Sequence, residues 1–239
     1  MREHWRAHAG RRLVEPFCGG LAVTLGLMPE RALLNDVNPH LINFYRWIGA
    51  GLAIRLPLRN ESALYYAHRA RFNALISSGK EETREAAALF YFLNRTGYNG
   101  LCRFNASGEY NVPFGRYTTI PYVRSFPSLR RAFSAWRFAC GDFEGIKLRP
   151  DDFVYADPPY DVPFTAYSKG GFGWEDQVRA ARWFARHPGP VVLANQATPR
   201  IVDLYLELGF TLTYKEAPRR ISRTGDRTPA REVLALRNV

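Results

Sequence analysis

Cysteine, acidic charge and long apolar runs are all scarce in this chain. The three cysteines among its 239 residues, Cys18, Cys102 and Cys140, are odd in number, far apart and without metal-ligand spacing. That excludes a disulfide framework and a zinc site, leaves reduced thiols and predicts no bound metal. No apolar run reaches the roughly 18 residues that span a bilayer, and "MREHWRAHAGRR" lacks the apolar centre of a signal peptide. A cytoplasmic protein without a membrane partner is therefore expected. There are no internal repeats and no low-complexity tracts. Acids are outnumbered, 22 Asp and Glu against 33 Lys and Arg, for a net charge of +11. A polyanion is drawn to such a surface by phosphate neutralisation and counterion release, so nucleic acid is the first partner to consider, against a basic surface that is merely solvated.

What is present is ordinary for a globular protein. With 46% hydrophobic and 23% charged residues, the chain has enough apolar material for one large domain or two small ones. "LVEPFCGGLAVTLGLM" reads as strand, glycine turn and helix, and "RALLNDVNPHLINFYRWIGA" repeats the pattern, with a strand ending at Asn35-Asp36. Two such units in succession predict a parallel α/β sheet. From Leu52 to Tyr122 the texture becomes helical and then rich in Gly, Asn, Tyr and Arg, as in an inserted module. The α/β pattern resumes with the helix "SFPSLRRAFSAW", the strands "RFACGDF" and "DFVYADPPY", the helix "WEDQVRAARWFARH", the strand "PVVLANQA", the helix "TPRIVDLYLELG" and the strands "FTLTYKEA" and "EVLALRN". This gives a catalytic framework over 1–51 and 123–239, split by an insertion over 52–122. Open sheets of this kind bind ligands at the carboxyl ends of their strands, where Glu15 to Gly20, Asp36, Asp142 and Asp157 to Tyr160 all fall.

Each of these motifs has a chemical reading and a plainer one. The glycine turn of "EPFCGG" lets a ligand approach the backbone, or is simply a tight turn, and it does not match G-x-G-x-x-G. Asp36 stands where an acid can hold ribose hydroxyls, or begins an Asx turn that Asn35 or Asn38 could equally supply. "GDF" at Gly141 to Phe143 offers an acceptor for an exocyclic amine and an aromatic face, or a turn. "DPPY" is more telling, because Pro158 and Pro159 remove two backbone donors and fix φ just past a strand. The acceptors and one π-face remain: Asp157 and the Pro158 carbonyl can share one amino group, while Tyr160 stacks on the base that carries it.

"EPFCGG", "NDVNPHLINFY", "NRTGYNGLCRFNASGEYNVPFGRY", "GDF" and "DPPY", in this order and spacing, resemble the Dam-type DNA adenine-N6 methyltransferases. The likeness runs over nearly the whole chain, as far as "RRISRTGDRTPAREVLAL", and is most specific from Asn94 to Tyr117. It implies a Rossmann-like, S-adenosylmethionine-dependent methyltransferase sheet carrying an inserted, mainly helical target-recognition domain. The product implied is N6-methyladenine in GATC of double-stranded DNA. The catalytic group would be Asp157, Pro158, Pro159 and Tyr160. The cofactor, S-adenosyl-L-methionine, would be lined by Glu15, Pro16, Phe17, Gly19, Gly20 and Asp157. Asp36 would hold its ribose, and Asp142 with Phe143 its adenine. Tyr98, Asn99, Leu101, Arg103, Asn105 and Pro113 would face the duplex, with Arg103 on a guanine edge. Arg116, Arg219 and Arg220 would touch phosphates. Transfer would be a direct displacement on a flipped base, with no catalytic cysteine and a monomer sufficient.

The chain departs from the family pattern at one end. The family usually opens with a basic segment of "F-x-x-W-x-G-G-K" type, whereas "MREHWRAHAGRRLVEPF" matches only the end of the helix that follows it. Trp5 lies too close to Glu15 to replace the motif's tryptophan. A late start codon, a trimmed chain or another segment completing the pocket would each account for this. The stretch after Tyr160, up to "FTAY", is also shorter than usual. The competing readings are an amino-methyltransferase acting on cytosine N4 or on RNA adenine, and a DNA-binding protein with reduced or lost turnover. A NAD dehydrogenase is the weakest, for want of the phosphate fingerprint.

Overall fold

A computed structural model describes residues 1–161, 171–217 and 230–239. Among these residues seven strands form one sheet: β1 (Leu13–Glu15), β2 (Ala32–Asp36), β3 (Arg137–Cys140), β4 (Phe153–Ala156), β5 (Val191–Gln196), β6 (Thr211–Ala217) and β7 (Ala230–Arg237), in spatial order 3-2-1-4-5-7-6. β1 pairs in parallel with β2 and β4, and β4 with β5. The helices are α1 (Arg2–Arg6), α2 (Ala22–Leu27), α3 (Pro39–Gly49), α4 (Ser62–Ser77), α5 (Arg84–Thr96), α6 (Pro127–Ala135), α7 (Trp174–Ala185) and α8 (Pro199–Glu207). The expected Rossmann-like α/β alternation is present.

The far edge refines the expectation of a parallel sheet. β7 lies between β5 and β6 and is antiparallel to both. Twelve residues separate β6 from β7, about the shortest crossover that would join parallel neighbours, so the antiparallel return is the natural one.

The chain divides into two compact units. The first takes in Met1–Asn35 and, among the described residues, 142–161, 171–217 and 230–239; the second is Asp36–Gly141. The core of the first packs Val14, Val154, Ala156, Val191, Leu193 and Val233 of the strands against Ala180, Ala181 and Phe184 of α7 and Ile201, Leu204 and Tyr205 of α8. Trp5 belongs to this unit as a buried residue, edge-on to Phe153 with ring centroids 5.2 Å apart. A buried fork joins β1 to the approach to β4: Arg12 Nε and Nη2 donate to Asp152 at 2.8 and 2.6 Å, and Asp152 also accepts from the Arg149 amide at 2.6 Å.

The second unit is mostly helical. Tyr65, Phe72 and Leu75 of α4 close over Ala86, Leu89, Phe90, Phe92 and Leu93 of α5, with Tyr110 and Val112 beneath. α3 begins where its sequence says it should, since the Asn38 side chain accepts from the His40 and Leu41 amides and Pro39 opens the first turn. The ends of this unit meet, because the Gly141 amide donates to the Asp36 carbonyl at 3.1 Å.

Candidate active site

In the first unit the parallel register aligns Val14 with Val154, so β1 and β4 run out along the same edge of the sheet. Glu15 closes β1 and Asp157 follows β4 directly. Glu15 is 2% exposed and accepts a short hydrogen bond from the buried Thr24 hydroxyl of α2. Burial pushes its carboxyl up to about 7 against the pull of Thr24, and the nearby Asp157 adds to the rise. Asp157 keeps a solvent-exposed face while protein crowds its inner side. That crowding raises its pKa, and Glu232 of β7 raises it further, against hydrogen bonds from Tyr160 and Tyr155. Asp157 thus sits between two other acids on this edge, repelled by Glu232 and repelling Glu15, an electrostatic setting that a positively charged ligand relieves.

The turn after Glu15 is shaped by its backbone. Gly19 has φ +42° and Leu21 φ +58°, a left-handed conformation unusual for leucine, held in place because the Leu21 side chain is fully buried. The Asn35 side chain donates to the Pro16 carbonyl at 3.0 Å and the Cys18 amide to the Asn35 carbonyl at 2.8 Å, which locks "EPFCGG" onto the end of β2. Phe17 packs on Phe143, Phe172 and Phe184.

The "DPPY" turn is clamped from behind by residues that motif reading missed. The buried Gln177 of α7 donates to the Pro159 carbonyl at 2.6 Å. The fully buried Asn195 of β5 accepts from the Asp161 amide at 3.1 Å and donates to Gln177 at 3.0 Å and to the Tyr205 hydroxyl at 3.3 Å. The Asp161 carboxylate takes a fork from Arg200 and a bond from Thr198 at 2.9 Å, which holds its pKa below the ordinary range. The one visible signal was Asn195 itself, an amide within the otherwise apolar run "VVLAN".

Asp142 and Phe143 are arranged less openly than the sequence suggested. β3 stops at Cys140, Gly141 follows with φ +141°, and the Asp142 carboxylate caps a short 3-10 turn by accepting from the Glu144 amide at 2.9 Å. Both its oxygens take Arg179 N–H groups at 2.8 Å, and this pairing lowers its pKa. Phe143 is 2% exposed, with the Arg179 guanidinium 4.3 Å from its ring centroid.

The remaining candidates lie in the second unit or outside the description. Asp36 accepts from the Asn38 amide at 2.9 Å, while Asn38 performs the capping of α3. Tyr98 and Leu101 are exposed large apolar side chains, and Asn99 has φ +52°. The Pro113 carbonyl accepts from the Tyr98 amide at 2.9 Å, beside an antiparallel bridge between Gly97 and Phe114. Gly115 is required there, since a Cβ would lie 2.8 Å from the Thr96 carbonyl oxygen. Asn105 closes its own loop, accepting from the Glu109 amide at 2.8 Å and donating to the Glu109 carboxylate at 2.9 Å. Arg103 and Arg116 are exposed. Arg219 and Arg220 lie outside the described residues, as does the "FTAY" block. Among the described residues no group of His, Cys, Asp and Glu is placed to hold a metal, and no helix is long and apolar enough to cross a membrane.

Comparison with known proteins bears on the same chemistry. The family model described as D12 class N6 adenine-specific DNA methyltransferase matches residues 1–221. The retron Ec67 DNA adenine methylase of Escherichia coli is 36% identical over 95% of this chain and 83% of its own length. The DNA adenine methylase of Escherichia coli strain K12 is 34% identical over 95% of this chain and 86% of its own. The DNA N-6-adenine-methyltransferase of Escherichia phage P1 is 36% identical over 95% of this chain and 32% of its own.

Proposed function

This chain belongs to the D12 class N6 adenine-specific DNA methyltransferases, and from that membership we propose that it methylates GATC in duplex DNA with Asp157, Pro158, Pro159 and Tyr160 as the catalytic group. That it is a DNA adenine-N6 methyltransferase, using a methyl donor, follows from the family; the target sequence, the donor's identity and the residue roles are our reading. The observation that carries it is the acid edge, where Asp157, beside Tyr160, is raised by burial and by the charge of Glu232 and itself adds to the rise of Glu15.

The amino nitrogen of adenine is a poor nucleophile because its lone pair is conjugated into the ring. In this reading the base leaves the duplex at a cost of a few kcal/mol and stacks on Tyr160. Asp157 and the Pro158 carbonyl accept from N6, draw it toward tetrahedral geometry and leave its lone pair free to attack the methyl. As the new N–C bond forms and the methyl's bond to its donor breaks, the electron pair staying with the leaving donor, the nitrogen gives up a proton, and the raised pKa of Asp157 suits it to take that proton. Gln177 and Asn195 keep the turn from yielding as this charge moves.

S-adenosyl-L-methionine, the donor we assign, supplies an electrophilic methyl on a cationic sulfonium. Its positive charges suit the acid edge, and Glu15, Pro16, Phe17, Gly19, Gly20 and Asp157 would hold its methionine end. Asp36 would take the ribose hydroxyls. Asp142 and Phe143 would take the adenine, with Asp142 Oδ2, which among the described residues accepts only from Arg179 Nη2, keeping a second lone pair for it. We read 52–122 as the target-recognition domain and 1–51 with 123–239 as the catalytic domain. Tyr98, Asn99, Leu101, Arg103, Asn105 and Pro113 would face the duplex, with Arg116, Arg219 and Arg220 on phosphates. We read the active form as a monomer.

The test incubates the protein with labelled donor and with duplexes that contain or lack GATC. Label should enter the GATC duplex alone, and Asp157→Ala should lower the rate at least about a hundredfold while DNA binding persists. An unlabelled GATC duplex at high enzyme concentration would sink the proposal.

A further inference from the structure

Between Gly97 and Phe114 the chain forms a hairpin with one strand held and the other tethered to it. Tyr110 exchanges bonds with Asn73 of α4, its amide donating at 2.9 Å and its carbonyl accepting at 3.2 Å. The Val112 carbonyl accepts from the Tyr65 hydroxyl at 2.8 Å and from Arg69 at 3.1 Å. Tyr110 and Val112 are buried, so Asn111 between them rests on fixed backbone with its side chain on the opposite face.

From there Asn111 takes hold of Arg103 across the hairpin. Its amide donates to the Arg103 carbonyl at 3.1 Å, its Oδ1 accepts from Arg103 Nε at 2.8 Å, and its own carbonyl accepts from Arg103 Nη2 at 3.4 Å. A guanidinium has two bidentate forks, one along its Nε–Nη2 side and one at its Nη1–Nη2 end. Asn111 occupies the side fork and leaves the end fork of an exposed side chain for a ligand.

We propose that Asn111 is a specificity-determining positioning residue: by holding Arg103 along one edge it leaves the end fork as the single pair of donors that can meet guanine O6 and N7. The proposal rests on the reading of Arg103 as a guanine reader. It gives Asn111 a role that a phosphate contact would not have, because its loss would act on discrimination and not on affinity alone.

The experiment compares the parent, Arg103→Ala, Asn111→Ala and Asn111→Asp on GATC duplexes in which guanine is replaced, one position at a time, by 7-deazaguanine. kcat/KM and the thermal transition are measured for each protein. For the parent, one position should lose about tenfold or more, the scale of a base-edge contact. Asn111→Ala should lose activity on unmodified GATC and show a much smaller further loss at that position, with its thermal transition close to the parent's because the hairpin is pinned by its neighbours. Asn111→Asp keeps an acceptor for Nε and should recover most of the discrimination. The proposal is overturned if Asn111→Ala keeps the parent's ratio between the two duplexes, or loses activity equally on all of them. If Arg103→Ala also keeps the parent's ratio, the guanine reading beneath the proposal has failed; if Arg103→Ala loses it and Asn111→Ala does not, only the role of Asn111 has failed.

Discussion

Asp157 has two demands on it, and they meet at its pKa. To accept from the amino group it must be ionised, yet crowding by protein and the charge of Glu232 both favour its protonated form. Below its raised pKa the carboxyl is neutral and the acceptor is lost; above it the acceptor is present. The acid limb of kcat should therefore lie above the ordinary carboxylate range, with activity rising as pH rises through it. Glu232→Gln removes a repelling neighbour, so Asp157 ionises more easily and the limb should move to lower pH. Initial rates with saturating DNA and donor, measured across the acid range for both proteins, check this. A limb that stays in place in Glu232→Gln would mean that another group titrates.

Among the elements, β1 and β4 depend on one buried ion pair. Asp152 is fully buried and Arg12 nearly so, so removing one partner strands a charge that nothing else compensates. Asp152→Ala should cost about 3–5 kcal/mol in urea unfolding, and the paired replacement Arg12→Met with Asp152→Leu should recover most of it. A loss under about 1 kcal/mol for Asp152→Ala would show that water reaches Arg12. The strands and helices themselves were legible, because their signals are local: short apolar runs, the Asn38 cap, and the Gly and Pro that stop "EPFCGG" and "DPPY". Within the candidate site, Glu15, Asp157 and Tyr160 could be picked out because each lies at or just past the end of a readable strand. What holds them could not. Gln177 and Asn195 bond to one another across 18 residues and Arg200 reaches Asp161 across 39, and no periodicity records which distant side chains will meet. Trp5 illustrates the converse, since a tryptophan weighed against a motif is a core residue lying on Phe153.

At the scale of the whole molecule, a charge of +11 suits an enzyme that must find its target on a polyanion, but the path of the chain has a further consequence. β1 and the approach to β4 are joined by side chains 140 residues apart in sequence. Closing an unstructured loop of that length is entropically costly, by about 0.6 kcal/mol for each doubling. The intervening Asp36–Gly141 unit has its own apolar core, and its two ends are hydrogen-bonded to each other. Once folded, it acts on the sheet as a staple rather than as a tether. The expected order of events in folding follows: β1 joins β4 only after the middle has assembled. Phe72→Ala, deep in the middle, should therefore slow refolding of the sheet as read by Trp5 fluorescence in a background whose other four tryptophans are phenylalanine, while Asp152→Ala should chiefly speed its unfolding. Equal refolding rates for parent and Phe72→Ala would show that the sheet forms first.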